Sequence, residues 1–251
     1  MECFIVEESD IDQVAGTLTL RGDEARHAVR VLRISEGEHL VATTLRGTCY
    51  KAICQKSGQP SKNEWVCECT IDEMLPEHNE SRTDVRLIQG ITQQQSKLEE
   101  IVEKATEMGI ASISPIFTKR TEKRTITRER LERIIRSGCK QSHRARMPVL
   151  SDAMSLEESL DRSRSEGRSI VILHESAPWS DALAKFLPKD RAAKVTLIVG
   201  PEGGFDEGEV LLARKFGAIV ASLGPRRLRA ETAAIMAVSV TMGLSQLLNA
   251  N

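Results

Sequence analysis

Aromatic residues are scarce in this sequence, at 3% of its 251 residues. Few side chains can therefore stack on nucleobases, so any binding of nucleic acid should depend on charge and shape and weaken steeply with salt. No apolar run approaches the roughly 18 residues of a membrane span. The start of the sequence, MECFIVEESDID, lacks the basic and the long apolar parts of a signal peptide, which favours a cytoplasmic protein without membrane contact.

Cysteine is present, but not in a pattern that favours disulfides or metal binding. The six cysteines are scattered along the chain, and in a cytoplasmic protein they are expected as thiols. Cys67 and Cys69 share one strand face, but no second pair or histidine cluster stands near them, which is poor spacing for zinc. His143 and His174 are more typical of structural or pocket-lining residues, so no metal site is expected.

The net charge of −1 conceals an uneven distribution. Residues 119–146 contain eleven Lys or Arg and three Glu, a net charge of +8. Residues 1–80 contain eight Lys or Arg and fifteen Asp or Glu, a net charge of −7. A concentrated basic segment can attract a polyanion. The alternative is an ordinary solvated helix face.

The pattern of predicted secondary structure changes at the polar segment 73–83. Before it, four short β-rich pieces surround one helical segment at 23–34, which predicts a small, mostly β module. After it, strands and helices alternate, which predicts an α/β domain with a parallel sheet covered on both faces. The predicted strands are 85–91, 111–117, 169–174, 194–200 and 218–224, and the predicted helices are 97–108, 127–144, 180–187, 206–216 and 231–249.

A glycine-rich turn follows the strand in VTLIVGPEGGFDEGEV, residues 195–210. Its spacing matches neither phosphate-binding fingerprint, and the carboxylates of Asp206, Glu207 and Glu209 would repel phosphate at the helix start. A neutral or cationic ligand suits the turn better, with Gly203 and Gly204 allowing close approach of the backbone. A strand-to-helix turn without any ligand remains the alternative.

A second turn of similar design follows in AIVASLGPRRLRAETAAIMAV, where three arginines stand at 226, 227 and 229. Parallel strands place such turns at one edge of the sheet, where α/β proteins bind their ligands. The helix after this turn is apolar on most faces. That pattern predicts burial within its own domain, and is also consistent with burial against a second subunit.

The sequence GPEGGF followed by LGPRRLRAETAA resembles the signature pair of the RsmE family of SPOUT-class RNA methyltransferases. The resemblance covers nearly the whole chain, through EARHAVRVLRISEGEHL, KLEEIVEKATEMGIASISPIFTKR and CKQSHRARMP. The chain departs from the family at Arg26-His27, where two histidines are usual. The resemblance implies a homodimeric enzyme that uses S-adenosyl-L-methionine to methylate N3 of a uridine in small-subunit (16S) ribosomal RNA.

The resemblance also implies a fold and a cofactor site. It implies a PUA-like RNA-binding β-barrel over residues 1–74 and a SPOUT α/β domain with a trefoil knot over residues 75–251. No periodicity in the sequence indicates the knot. The family places the cofactor against three loops, whose corresponding residues here are Leu173, His174, Glu175, Gly200, Gly203, Gly204, Leu223, Gly224, Leu228 and Thr232.

Three side chains are candidates for a role in the methyl transfer itself. Uridine N3 must lose its proton and pass negative charge to the flanking carbonyl oxygens, which a nearby cation would stabilise. Arg229 is the first candidate for that cation, and Arg226 is the second. Glu202 could accept the proton, although water could also do so, and a role for Glu202 in the structure of its loop is the alternative.

Contacts with the RNA, as free ribosomal RNA or an assembled small subunit, are expected at three groups of residues. Arg26, Arg30 and Arg33 stand at helical spacing and predict one basic stripe. The second group follows a strand and the third belongs to the family motif; their members are Lys119, Arg120 and Arg124, and Gln141 and Arg144. For the first two groups, solvated charge is the alternative to phosphate contact.

Two other functions compete with methyl transfer. One is a non-catalytic RNA-binding ribosome assembly factor on the same fold, which would have no need of intact glycine turns. The other is a nucleotide-dependent enzyme that uses the turns for phosphate. The missing phosphate fingerprints and the acidic flank disfavour the second.

Overall fold

The structure is a computed structural model that describes residues 1–61, 64–121, 126–190 and 192–249. It divides into two compact units, Met1–Glu80 with Cys139–Met147, and Ser81–Gly138 with Pro148–Asn251. The first unit therefore contains a later segment of the chain, which no single cut after residue 74 can reproduce. Residue 74 also lies within a strand that continues to Pro76. The assignment of the two sequence ranges to functional domains stays a prediction.

The first unit contains a six-stranded sheet in which antiparallel pairing predominates. Its elements are β1 (Cys3–Ile5), β2 (Ile11–Asp12), β3 (Thr17–Arg21), α1 (Gly22–Arg26), β4 (His39–Thr43), β5 (Thr48–Ser61) and β6 (Glu64–Pro76). The strand order is β1-β4-β5-β6-β3-β2, and β1 pairs with β4 in parallel. β5 and β6 extend the predicted short strands into a long, bulged hairpin.

The apolar clusters of the first unit contain five of the six cysteines, at positions 3, 49, 54, 67 and 69. All six cysteines are free and buried, as expected for thiols. Cys54, Cys67 and Cys69 pack together, with the Cys67 sulfur 3.6 Å from each of the other two. Burial raises the pKa of the Cys3 thiol to about 12, which keeps it protonated at neutral pH.

The helix predicted at 23–34 is only partly present. α1 ends at Arg26 and gives way to a π-helical turn at His27–Val31. Arg33 then adopts a left-handed backbone with φ of +56°. The predicted single helical stripe through Arg26, Arg30 and Arg33 is therefore wrong, because the helical repeat changes within it, although all three side chains are exposed.

The second unit contains a seven-stranded sheet in which every pairing is parallel. Its strands follow the order β10-β8-β7-β12-β11-β13, and β9 lies beside β8. The elements that begin in this unit are β7 (Asp84–Gly90), α2 (Gln95–Glu107), β8 (Ser112–Phe117), α3 (Arg128–Gln141), β9 (Val149–Leu150), β10 (Met154–Ser155), α4 (Leu156–Ser165), β11 (Ser169–Leu173), β12 (Lys194–Val199), α5 (Glu207–Lys215), β13 (Ile219–Ala221) and α6 (Ala230–Asn249).

This architecture confirms the α/β prediction, since the central strands are buried on both faces. The helix predicted at 180–187 is wrong, and a single 3₁₀ turn at Leu183–Lys185 stands there. Leu183 instead donates its backbone N–H to the Ser222 carbonyl next to β13, at 3.0 Å. The periodicity of the sequence does not predict α4, although the start of this helix carries a capping box between Ser155 and Glu158.

An ion-pair cluster fixes the amino-terminal edge of the parallel sheet. Arg168 contacts both carboxylate oxygens of Asp84 at 2.8 and 2.9 Å. Arg86 contacts Glu166 at 2.7 Å. The hydrogen bonds from Arg168 hold the pKa of Asp84 below its ordinary value. The charged groups on this edge thus bind one another, at the opposite end of the strands from the glycine-rich turns.

Within the described part of the chain, no helix combines the length and apolarity needed to cross a membrane. α6 comes nearest in length, and it packs against α2, β7 and β12. Ala234, Ala237, Val238 and Met242 are buried, whereas Met236 is exposed. The predicted burial of this helix within its own domain is therefore confirmed on one face.

Candidate functional site

Three loops meet at the carboxyl-terminal edge of the parallel sheet. They follow β11, β12 and β13, which lie side by side in the order β12-β11-β13. Together they line one cavity of about 770 Å³, part of which is open to solvent. Nine of the ten residues predicted to contact the cofactor line it: Leu173, His174, Glu175, Gly200, Gly203, Gly204, Leu223, Gly224 and Leu228.

The tenth residue and the first catalytic candidate lie elsewhere. Thr232 is exposed in the first turn of α6 and does not line the cavity. Arg229 is exposed just before α6 and does not line it either. The second candidate, Arg226, lines the cavity together with Arg227. The structure therefore brings Glu202 and Arg226 together with the predicted cofactor residues, and it leaves Arg229 outside this group.

Glycine is required where the loop after β12 passes over the end of β7. A Cβ atom on Gly90 would lie 2.4 Å from Pro201 Cδ and 2.5 Å from Pro201 N. Within the loop, a Cβ on Gly200 would lie 3.0 Å from Gly204 Cα. Gly204 has a left-handed backbone and donates its N–H to the Pro201 carbonyl at 2.8 Å. The loop is therefore a tight turn with backbone atoms facing the cavity.

Glu202 is held by groups that the sequence pattern did not identify. Its Oε2 accepts the backbone N–H of Gln93 at 3.2 Å, and its Oε1 accepts from Lys97 Nζ at 3.3 Å. Gln93 lies just before α2 and Lys97 lies in its first turn, about a hundred residues away in sequence. No local spacing signals this contact. Both carboxylate oxygens thus fasten the glycine-rich loop to α2, in agreement with the structural alternative for Glu202.

The acidic residues after this loop also have local partners. Asp206 and Glu209 form a capping box at the start of α5. Asp206 pairs with Lys119 Nζ at 2.7 Å, and Glu209 accepts the Lys119 backbone N–H at 2.9 Å. The ion pair raises the pKa of Lys119 and lowers that of Asp206. These carboxylates would therefore repel phosphate less than the sequence suggested, because their charge is used at the helix start.

Two side chains link the loop after β11 to its neighbours. The Nδ1 atom of His174 accepts the Ser176 backbone N–H at 3.2 Å, which places the ring proton on Nε2. Nε2 lies 3.4 Å from the Phe205 carbonyl oxygen, in the loop after β12. Glu175 pairs with Arg227 at 3.4 Å, across to the loop after β13. These contacts hold the three loops as one rim.

The predicted RNA-binding residues fall into different environments. Lys119 and Arg120 are exposed beside the rim, where Arg120 donates to the Gly203 carbonyl oxygen. Gln141 is exposed at the end of α3. Arg124 lies outside the described residues. Lys119 and Arg120 thus stabilise the rim and also present cationic groups to solvent.

Arg144 is a correction to the predicted RNA surface. Its side chain is 3% exposed and its guanidinium pairs with Glu80 at 2.6 and 3.2 Å. Its carbonyl also accepts a hydrogen bond from Thr43. A phosphate could reach this group only after the pair had broken, so we assign Arg144 to the core of the first unit.

No cluster of three or more metal-ligating side chains occurs among the described residues. Neighbouring carboxylates and thiols in this part of the chain instead bind cations of the protein itself or lie in the apolar core.

Comparison with known proteins identifies the family to which this chain belongs. A family model described as an RNA methyltransferase domain matches residues 79–242, well over half of the chain. The chain belongs to the RNA methyltransferase family that includes ribosomal RNA small subunit methyltransferase E. A second model, described as an RNA methyltransferase PUA domain, matches residues 20–58.

Relatives within this family match over most of their length. The chain is 30% identical to ribosomal RNA small subunit methyltransferase E of Aquifex aeolicus over 234 residues, which span 90% of this chain and 93% of the relative. It is 29% identical to the Bacillus subtilis protein of the same name over 245 residues, or 93% of each chain. A crystal structure of the Neisseria gonorrhoeae methyltransferase, bound to S-adenosyl methionine, matches with 27% identity and a TM-score of 0.79, covering 97% of this chain and 98% of that one.

Proposed function

We propose that this protein transfers a methyl group from S-adenosyl-L-methionine to N3 of a uridine in small-subunit (16S) ribosomal RNA. One observation carries the proposal: three loops of an RNA methyltransferase domain enclose a single cavity at the carboxyl edge of neighbouring parallel strands. The full-length similarity to enzymes named for the small-subunit ribosomal RNA supports the substrate. The related Neisseria gonorrhoeae enzyme, which was crystallised with S-adenosyl methionine bound, supports the methyl donor.

The lining of the cavity fits this cofactor in its chemistry. It combines backbone groups of Gly200, Gly203 and Gly204 with the carboxylates of Glu175 and Glu202 and the cation of Arg226. These groups suit a ligand that carries both charge signs and a nucleoside. Bound there, S-adenosyl-L-methionine would supply an electrophilic methyl group on a positively charged sulfur.

The residues of the chain would position the acceptor base and stabilise its charge. Uridine N3 loses a proton, and the negative charge spreads to the two flanking carbonyl oxygens. We propose that Arg229, exposed just before α6, stabilises this charge, with Arg226, which lines the cavity, as the second candidate. The N3 proton passes to Glu202 or to water, since each Glu202 oxygen accepts one hydrogen bond and keeps a further acceptor position. Through these two contacts, Glu202 also positions the loop.

We further propose that residues 1–74 form a PUA-like barrel and that residues 75–251 form a SPOUT domain with a trefoil knot. The PUA model over residues 20–58 supports the first assignment. Exposed Arg26, Arg30 and Arg33 are proposed as phosphate contacts, as are the exposed residues Lys119, Arg120 and Gln141. The homodimer and the cytoplasmic location are proposals that follow from the family resemblance.

The decisive experiment maps modified uridines in ribosomal RNA from cells with and without this protein. Purified protein should also methylate unmodified small subunits, and calorimetry should detect binding of S-adenosyl-L-methionine. Arg229→Ala should lower kcat by about 10²–10³-fold while cofactor binding persists, as expected when a donor to a developing oxyanion is removed. Arg226→Ala tests the second candidate, and Arg214→Ala, which removes an exposed cation from α5, is the matched control.

Two results would contradict the proposal. Cofactor binding without any methylated uridine would favour the non-catalytic assembly factor. Tight binding of a nucleoside triphosphate, with no affinity for S-adenosyl-L-methionine, would favour the nucleotide-dependent enzyme.

A further inference from the structure

Trp179 is the most exposed aromatic side chain of the protein. Its relative exposure is 73%, whereas the seven other aromatic residues are buried or half-buried. The other tryptophan, Trp65, packs partly against the core of the first unit. A sequence with so few aromatics thus places its one freely accessible indole ring on the loop after β11. A single exposed apolar residue needs no function by itself, so its setting decides.

The loop that carries Trp179 is held at both ends by the rim of the cavity. On one side, Ala177 donates its N–H to the carbonyl of His174, which lines the cavity, at 3.2 Å. On the other side, Ser222, which also lines the cavity, donates its N–H to the Asp181 carbonyl at 2.8 Å. These anchors keep the loop beside the mouth of the site.

Trp179 lies within a tight turn between these anchors. Asp181 donates its backbone N–H to the Pro178 carbonyl at 2.8 Å, so Trp179 and Ser180 occupy the central positions. A ring presented on a fixed turn loses little conformational entropy when it binds a flat partner. The turn is therefore suited to stacking.

The surroundings indicate which flat partner fits. Trp179 does not line the cavity, so its partner lies outside the cofactor site. Ser180 beside it is polar and exposed, which is unlike the apolar centre of a subunit interface. Arg227, whose side chain is 79% exposed, pairs with Glu175 where the same loop begins. An accessible ring on a loop whose first residues pair with an exposed arginine suits a nucleobase with its phosphate.

We propose that Trp179 stacks on a base of single-stranded RNA next to the target uridine, outside the cofactor cavity. This inference rests on the proposed function, since it concerns how that substrate is held. It also amends the expectation from composition that binding relies on charge and shape alone. Stacking is insensitive to base identity, because every base presents a π-face, so Trp179 would fix the position of the strand rather than its sequence.

The experiment uses the tryptophan itself as the reporter. In Trp65→Phe protein, Trp179 is the sole tryptophan, and its fluorescence should be quenched when a short single-stranded RNA that contains uridine is added. In Trp179→Phe protein, the emission of Trp65 should not respond. Trp179→Leu keeps apolar bulk but removes the π-face, and it should weaken RNA affinity and raise the KM for small subunits roughly five- to 150-fold. Trp179→Phe keeps an aromatic ring and should retain most of the RNA affinity that Trp179→Leu loses.

Other outcomes separate a failure of the stacking from a failure of the proposed function. If Trp65→Phe protein methylates small subunits while RNA leaves its emission unchanged, the proposed function stands and the stacking does not. Quenching by S-adenosyl-L-methionine alone would assign the ring to the cavity. If Trp179→Leu changes the self-association of this protein but not its affinity for RNA, the ring forms a contact between protein chains. Absence of methylation in every variant and in the unaltered protein counts against the proposed function, whereas the quenching is judged separately.

Discussion

The crossing of the glycine-rich loop over Gly90 permits a quantitative prediction for Gly90→Ala. The new Cβ would lie 2.4 Å from Pro201 Cδ. Carbon atoms in favourable contact are about 3.5–4.0 Å apart, so the loop or the end of β7 must move by about 1 Å. Gln89, which donates to the carbonyls of Gly90 and Gly200, would lose part of its hydrogen bonding. Overpacking of this kind costs about 1–3 kcal/mol.

The consequences for stability and activity follow from that displacement. For a chain of this size, each kcal/mol lowers the unfolding temperature by about 2–4 °C. A displacement of about 1 Å in the loop that lines the cavity should reduce methyl transfer by about 10²-fold. Thermal unfolding, cofactor calorimetry and a methyl-transfer assay measure the three effects on one protein preparation.

Gly243→Ala is the matched control for this substitution. Gly243 lies within α6, and a Cβ atom there would meet nothing within 4 Å. Alanine is favoured over glycine in a helix by up to about 1 kcal/mol, so this variant should be as stable as the original protein or more so. If Gly90→Ala left the unfolding temperature, cofactor affinity and turnover unchanged, the close crossing of loop and strand would not hold in solution.

Three further predictions concern charged residues. Arg168 lowers the pKa of Asp84, so their pairing stabilises the fold fully above the ordinary pKa of an aspartate, and this stabilisation is lost as pH falls through the lowered value. Urea unfolding between neutral and acid pH should show this loss of stability, and the pH dependence should be weaker in Asp84→Asn protein. Arg144→Ala should lower the free energy of unfolding by about 3–5 kcal/mol, because it removes the cation that pairs with the buried carboxylate of Glu80. A loss of RNA affinity with unchanged urea unfolding would contradict the assignment of Arg144 to the core. Glu202→Gln should weaken cofactor binding about as much as Lys97→Ala, since each removes one ion pair; if Glu202→Gln alone abolished methyl transfer with cofactor affinity intact, Glu202 would be the base.

The recurrent strand–helix alternation of the second unit was predictable because its causes are local. Parallel strands that are buried on both faces are continuous apolar runs, and amphipathic helices repeat at 3.6 residues. The starts of α4 and α5 each carry a capping box, although only α5 was recognised as a helix. The helix predicted at 180–187 is wrong because backbone groups of Asp181 and Leu183 form hydrogen bonds with Ser222, a partner that the local pattern does not contain.

The candidate site was predictable at its turns and unpredictable at its supports. Two glycine turns after consecutive strands marked the edge of the sheet where a cavity now lies. The groups that hold those turns come from distant parts of the chain: Lys97 for Glu202, and Lys119 for Asp206. The prediction that Arg144 contacts RNA is wrong for the same reason: this residue of the basic segment is buried against Glu80, a distant partner that the local sequence does not reveal.

By itself, the sequence determined the class of fold of the second unit, the position of its ligand-binding edge and the family, since each depends on short-range pattern or on motif residues in order. The tertiary structure alone decided which charges face solvent, which carboxylates accept hydrogen bonds from distant residues and which arginines line the cavity. Those properties depend on atoms that sheet pairing brings within a few ångströms of one another across a hundred residues. Hydrogen bonds form only at that range, and ion pairs are strongest there.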